Sequence, residues 1–115
     1  MHEFSLAQSI ADLVTDSARQ EGIKQIRRVT VVVGEWSAVM PDALITSFAA
    51  IAGVSGELLE GAAMEVRMSP AVGECAACGG LRFPASDGGL TCPGCKGGAV
   101  LLSGTELRVD SYEGD

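Results

Sequence analysis

The sequence predicts an α+β fold in which two helices cover a small sheet and a four-cysteine, zinc-ribbon-like module is inserted before the last strand. Three observations carry this prediction. Two segments place apolar residues at helical spacing, β-branched runs lie between and after them, and one glycine-rich stretch holds every cysteine of the chain.

From Phe4 to Gln20, the residues Leu6, Ile10, Leu13, Val14, Ser17 and Ala18 recur on one helical face, with Gln8, Asp12, Asp16 and Arg19 on the other. Gly22 is placed to end this helix. The run from Lys24 to Gly34 then sets Val29, Val31 and Val33 on one face and Thr30 and Val32 on the other, the pattern of a covered strand. Pro41 suits the first turn of a second helix in which Leu44, Ile45, Phe48, Ile51 and Ala52 share a face, with Gly53 at its end. Met64, Val66 and Met68 alternate with Glu65 and Arg67 in a half-buried strand closed by Ser69 and Pro70.

The composition changes at this point. Residues 71 to 98 contain all four cysteines, eight glycines and few core aliphatics. Beyond them, Val100 to Leu102 and then Leu107 and Val109, alternating with charged residues, predict strand again, with Gly104 at a bend. Residues 99 to 112 are thus expected to rejoin the first layer, leaving Glu113, Gly114 and Asp115 as a loose tail. The expected domains are residues 1–70 plus 99–115 and, separately, 71–98.

A chain of 115 residues is the size of one compact domain with room for a small metal-held module, which excludes a large multidomain enzyme. Fifteen acidic against eight basic residues give a formal charge of -7. Such a surface repels nucleic-acid phosphate and anionic lipid, so neither nucleic acid nor membrane is an expected partner. The one basic cluster is Lys24, Arg27 and Arg28. The first residues carry Glu3, Asp12 and Asp16 without the basic start and apolar run of a signal peptide, so a cytoplasmic location is expected.

The cysteines are spaced Cys75-x-x-Cys78 and Cys92-x-x-Cys95, with thirteen residues between the pairs. Two such knuckles can each bend around one tetrahedral Zn²⁺, and in a reducing compartment this spacing points to metal rather than to a disulfide framework. A thioredoxin-like redox pair would need its cysteines at the end of a βαβ strand, which two glycine-rich pairs do not resemble. Rubredoxin-like iron uses the same ligand count, but Phe83 is the segment's only aromatic residue. Four thiolates leave zinc no open position for substrate water, so the zinc reads as structural.

His2 is the only histidine. An exposed histidine is ordinarily just solvated, but its place beside the amino terminus gives it neighbours. The amine of Met1, the amide nitrogen of His2 and its imidazole form successive chelate rings around one ion, with the Glu3 amide or carboxylate within reach of a fourth position. Nitrogen ligands in one plane suit Ni²⁺ or Cu²⁺ rather than tetrahedral zinc. No Walker loop, nucleophile elbow or histidine-based acid-base pair is present, so no enzyme active site is expected. Trp36 reads as a partly buried anchor and Glu35 as a solvated turn carboxylate.

The opening MHEFSLAQSI, the segment VVVGEWSAV, the PDAL at the second helix and the knuckles CAAC and CPGC together resemble, in order along essentially the whole chain, the HypA/HybF family of hydrogenase nickel-incorporation proteins. The resemblance implies a nickel metallochaperone that carries Ni²⁺ on an amino-terminal α/β domain and structural Zn²⁺ on a separate one. It also implies a HypB-type GTPase partner and delivery to the precursor of the [NiFe]-hydrogenase large subunit, with urease maturation proteins as partners in some organisms. By matching position His2 is the nickel ligand, Glu3 contributes through its amide or through partner recognition, and Cys75, Cys78, Cys92 and Cys95 hold zinc. Two departures matter. SAVMPDA has one residue more than the family version in which an acidic residue joins the nickel site, so Asp42 is a weaker candidate beside Met1, with helix initiation as its alternative role. Gly79 and Lys96 follow the knuckles where other members carry histidines, which argues against pH-driven ligand exchange at zinc. A zinc-ribbon adaptor without nickel transfer and an iron-based electron carrier are the competing functions.

Overall fold

The apolar periodicities become, in chain order, α1 (Glu3–Gln20), β1 (Ile26–Gly34), α2 (Pro41–Ala52), β2 (Ala63–Ser69), β3 (Val72–Cys75), β4 (Leu81–Pro84), β5 (Val100–Ser103) and β6 (Leu107–Gly114), with a short 3-10 turn at Ala76–Cys78. These elements come from a computed structural model that describes residues 2–85 and 89–115. Three residues of the glycine-rich stretch SDGG at 86–89, whose composition predicts a turn, lie outside the described residues. By its contacts the chain divides into two compact units. One comprises Met1–Val32, Val39–Arg67 and Arg108–Asp115, and the other Val33–Ala38 and Met68–Leu107.

In the first unit α1 buries Glu3, Ala7, Ile10, Ala11, Val14 and Ala18. The predicted stripe included Leu13, which is instead 58% exposed. Ala7, Ala11 and Ala18 complete the inward stripe with Ile10 and Val14 and leave Leu13 outside it; small side chains there let the helix lie close to its neighbours. Ala7, Val14, Leu44, Phe48 and Leu59 are essentially inaccessible to solvent, as are Ile26, Val29 and Val31 of β1. β1 is the middle strand of a sheet ordered β2-β1-β6. Its residues from Val29 onward are buried on both faces, Thr30 included, the pattern of a strand covered on each side of the sheet.

The last residues are held rather than loose. β6 runs to Gly114, and Asp115 exchanges backbone hydrogen bonds with Gln25, at 3.0 and 3.2 Å. The Asp115 carboxylate also takes the Arg27 guanidinium, whose Nε lies 3.0 Å from Oδ1, while Glu113 sits 3.9 Å from Arg28. Both arginines of the basic cluster therefore face acids of the final segment. Among the described residues no helix is long and apolar enough to cross a membrane.

The second unit is built on β3, which pairs antiparallel with β4 on one side and β5 on the other. Gly73 stands opposite Phe83 in β4 and Leu101 in β5. β5 was expected to rejoin the first layer with β6, and the expected domain boundaries at 70 and 99 followed from that. Its alternating but half-exposed residues pair with β3 instead, and Gly104, at φ 118°, turns the chain before β6 begins. Only β6 rejoins the first sheet.

Two carboxylates tie the polar end of the second unit together. Glu35 is the exposed turn carboxylate the sequence suggests, and its Oε1 also accepts the Ala71 amide at 2.7 Å. Glu106 takes the Gly104 amide on Oε1 at 2.6 Å and the Ser69 hydroxyl on Oε2 at 2.8 Å. Trp36 is half-buried, as expected, and its amide donates to the Gly104 carbonyl at 2.6 Å.

This packing leaves no space at Gly34. A Cβ there would lie 2.3 Å from the backbone carbon and oxygen of Gly104. Backbone cannot yield as a flexible side chain does, so Gly34→Ala is expected to cost about 3 kcal/mol or more. Urea denaturation of the purified variant checks this, and a midpoint equal to wild type would contradict the close approach.

Candidate functional site

The four cysteines converge. Cys75 ends β3, and Cys78 ends the 3-10 turn that follows. Gly79 then takes the left-handed conformation at φ 71°, and the Gly80 amide returns to the Cys75 carbonyl at 3.0 Å. The second knuckle repeats the device: the Lys96 amide donates to the Cys92 carbonyl at 2.9 Å, with Lys96 itself at φ 63°. A glycine is suited to such a position and Lys96 is not, so the second turn is held by its surroundings.

All four Sγ atoms lie within 4.8 Å of one another, and the pairs Cys75–Cys95 and Cys78–Cys92 are 3.7 Å apart. A tetrahedron with Zn–S bonds of about 2.3 Å has edges of about 3.8 Å, so the spacing fits zinc, whereas a disulfide needs about 2.05 Å. Around the sulfurs pack Phe83 and Ala99, and Cys75 and Cys92 are buried. The Gly94 amide points at Cys92 Sγ at 3.3 Å and the Gly97 amide at Cys95 Sγ at 3.4 Å, donors that favour thiolate.

Electrostatics of the metal-free cluster explain why it wants a cation. The amides of Cys95 and Gly94 lower Cys92 to about 7. Once negative charge gathers there, the sulfurs of Cys92, Cys95 and Cys75 push Cys78 up to about 12, and burial raises Cys75. Thiolates this close cannot all ionise by themselves. A divalent ion at their centre reverses that penalty, and protons compete with it, so affinity falls as pH falls.

The predicted amino-terminal residues are placed differently. Met1 lies outside the described residues. His2 is exposed at the position preceding α1, its carbonyl accepting the Leu6 amide at 2.8 Å. Glu3 is only 7% exposed, and its Oε2 accepts the Met40 amide at 3.0 Å. Asp42 is exposed in the first turn of α2. Among the described residues the four cysteines form the only cluster with the geometry of a metal site; His2, Glu3 and Asp42 do not converge into a second one.

Sequence reasoning missed the role of the Glu3 side chain. Met40 precedes α2 and carries no polar side chain to cap it, and Glu3 meets its amide from another helix. The Met40 amide, followed by the amides of Glu3 and His2, holds the Glu3 carboxyl below the usual carboxylate range against the opposing effect of burial. The only hint in the sequence was a second helix opening at MPDA without Ser, Thr, Asp or Asn before its proline.

A family model described as hydrogenase/urease nickel incorporation, metallochaperone, HypA matches residues 1–114. The hydrogenase maturation factor HypA of Moorella thermoacetica is 36% identical over 117 residues, covering 100% of both chains. That of Chlorobium limicola is 39% identical over 119 residues, again with 100% of each chain covered. The solution structure of the Ni metallochaperone HypA from Helicobacter pylori superimposes with a TM-score of 0.69 at 25% identity, covering 99% of this chain and 97% of that one. A further solution structure of a HypA protein gives a TM-score of 0.73 at 26% identity over 99% and 96% of the two chains.

Because Cys92 is both a ligand and part of the small core with Cys75 and Phe83, Cys92→Ser is expected to lose zinc and the fixed structure of the second unit together. Metal content by mass spectrometry and amide NMR dispersion of residues 71–98 check it. A zinc-loaded, fully dispersed Cys92→Ser protein would contradict the structural role.

Proposed function

Since the chain belongs to the HypA family of hydrogenase/urease nickel-incorporation metallochaperones, we propose that it binds Ni²⁺ at its amino terminus and surrenders it during maturation of the [NiFe]-hydrogenase large subunit. The first unit carries the exchangeable nickel, and the second holds zinc for structure. The amine of Met1, the His2 amide and imidazole, and the Glu3 amide supply nitrogen donors for a planar site, with Asp42 available as an additional oxygen ligand. The observation that supports this division most directly is the contrast in exposure: His2 is open to solvent at the end of α1, whereas Cys75 and Cys92 are buried. A cargo ion must be reachable by its acceptor, and a structural ion gains from being enclosed.

The partners that follow are a HypB-type GTPase and the hydrogenase large-subunit precursor, with urease maturation proteins as a second route, all within the cytoplasm. The role is that of a carrier, without catalysis by this chain.

Nickel titration of untagged, zinc-loaded protein is expected to give close to one Ni²⁺ per chain. His2→Ala should weaken binding by about 100-fold or more, with zinc content unchanged, because chelation makes losing one member of a fused ring system costly. Residues added before Met1 should have a similar effect. Equal nickel affinity in wild type and His2→Ala would reject the amino-terminal site and leave the zinc-bearing unit as a protein-protein adaptor.

A further inference from the structure

Glu3 is a charged residue that the first unit buries without satisfying it fully. Oε2 accepts the Met40 amide at 3.0 Å, while Oε1 is buried and has no hydrogen-bond partner among the described residues. An apolar side chain would avoid the unpaired oxygen but would leave the Met40 amide without its acceptor, so what the glutamate secures is this one bond. What the carboxylate does provide is a fixed link between two helix starts. Glu3 is the first residue of α1, and Met40 immediately precedes α2. Capping of this type normally comes from a residue within the same helix; here the side chain of one helix reaches the N-cap amide of the other.

The consequence concerns the residues on either side of the link. His2 adjoins Glu3, and Asp42 lies two residues beyond Met40. The His2 side chain makes no capping hydrogen bond to α1, and Met40 makes none to α2. A link at 3.0 Å between Glu3 and Met40 therefore brings the start of α1 and the start of α2 to one place.

We propose that the Glu3 carboxylate is a positioning residue for nickel capture: by holding the Met40 amide it fixes the backbone from which the His2 and Glu3 nitrogens are presented, and its own oxygens are not nickel ligands. This rests on the amino-terminal nickel site proposed above. It goes further in giving the Glu3 side chain a role separate from ligation.

Glutamine separates this proposal from direct ligation, because its carbonyl oxygen can accept the Met40 amide although it is a poor nickel ligand. In the metal-free, zinc-loaded protein, hydrogen exchange of the Met40 amide should be slow in wild type and Glu3→Gln and fast in Glu3→Ala. Nickel affinity should fall by about tenfold or more in Glu3→Ala, the factor set by losing one charge-assisted hydrogen bond, and Glu3→Gln should retain most of it. Circular dichroism confirms that the helices remain in both variants. Equally weak nickel binding in the Gln and Ala variants, with Met40 still protected in Glu3→Gln, would overturn the positioning role in favour of a carboxylate ligand. Rapid exchange of Met40 in wild type would overturn the link itself. Both outcomes are distinguishable from failure of the nickel site, which shows as unchanged binding in His2→Ala while the Met40 exchange pattern stands.

Discussion

Mutual repulsion among four sulfurs, and its relief by one cation, is the constraint on which the second unit depends. The buried cluster around its cysteines is only Cys75, Phe83 and Cys92, with Cys78 and Ala99 against them. So small a cluster cannot offset the entropy of ordering some forty residues. Three short strands, two knuckle turns and the amides directed at Cys92 and Cys95 gain their purpose only when an ion holds the thiolates together. Metal binding and folding are therefore expected to be one event here. The contrast with the first unit is physical: there Phe48, Leu44, Ile26 and the valines of β1 supply a conventional core.

Carboxylates do corresponding work for three backbone amides among the described residues. Glu35 takes the Ala71 amide, Glu106 takes the Gly104 amide and the Ser69 hydroxyl, and Glu3 takes the Met40 amide. Each acceptor is charged, so each bond is stronger than a neutral one, and each joins segments more than thirty residues apart except the Glu106 bond to its neighbour Gly104. The acidic excess of the chain is thus partly internal wiring. The Arg27 and Arg28 pairs with Asp115 and Glu113 account for more of it at the surface, where they contribute little to stability.

Both helices, the covered strand β1 and the four-cysteine site were legible in the sequence, since each depends on local period or spacing. Val29 to Val33 could only be a strand buried on both faces, and two Cys-x-x-Cys pairs in a glycine-rich run have few other uses. What escaped was set by partners distant in sequence. Val100 to Ser103 alternates weakly enough to suit either sheet, and only pairing with β3 decides. Leu13 looked inward because leucine is more apolar than alanine, yet close packing favours Ala7, Ala11 and Ala18. The tail EGD looked loose because neither the Arg27 contact nor the bonds to Gln25 can be read from composition. For the same reason Glu3 was read by its nearness to His2 rather than by its bond to Met40.

A metallochaperone must keep one metal and release another, and the two donor sets divide along lines that coordination chemistry allows. Soft thiolates in a closed tetrahedron, half of them buried, leave no open coordination position through which an incoming ligand can begin exchange. Nitrogen donors in the proposed nickel site would leave the axial positions of a planar ion open, so that an acceptor could approach and displace them one ring at a time. Such openness has a cost, because a free chain end loses conformational entropy when it chelates. In the proposed site, burying the side chain next to the histidine and bonding it to the start of a second helix would lower that cost without enclosing the ion. If nickel binds as proposed, the solvent-exposed His2 and the buried Glu3 form one device: the first would keep the cargo accessible, and the second would keep the site ready to receive it.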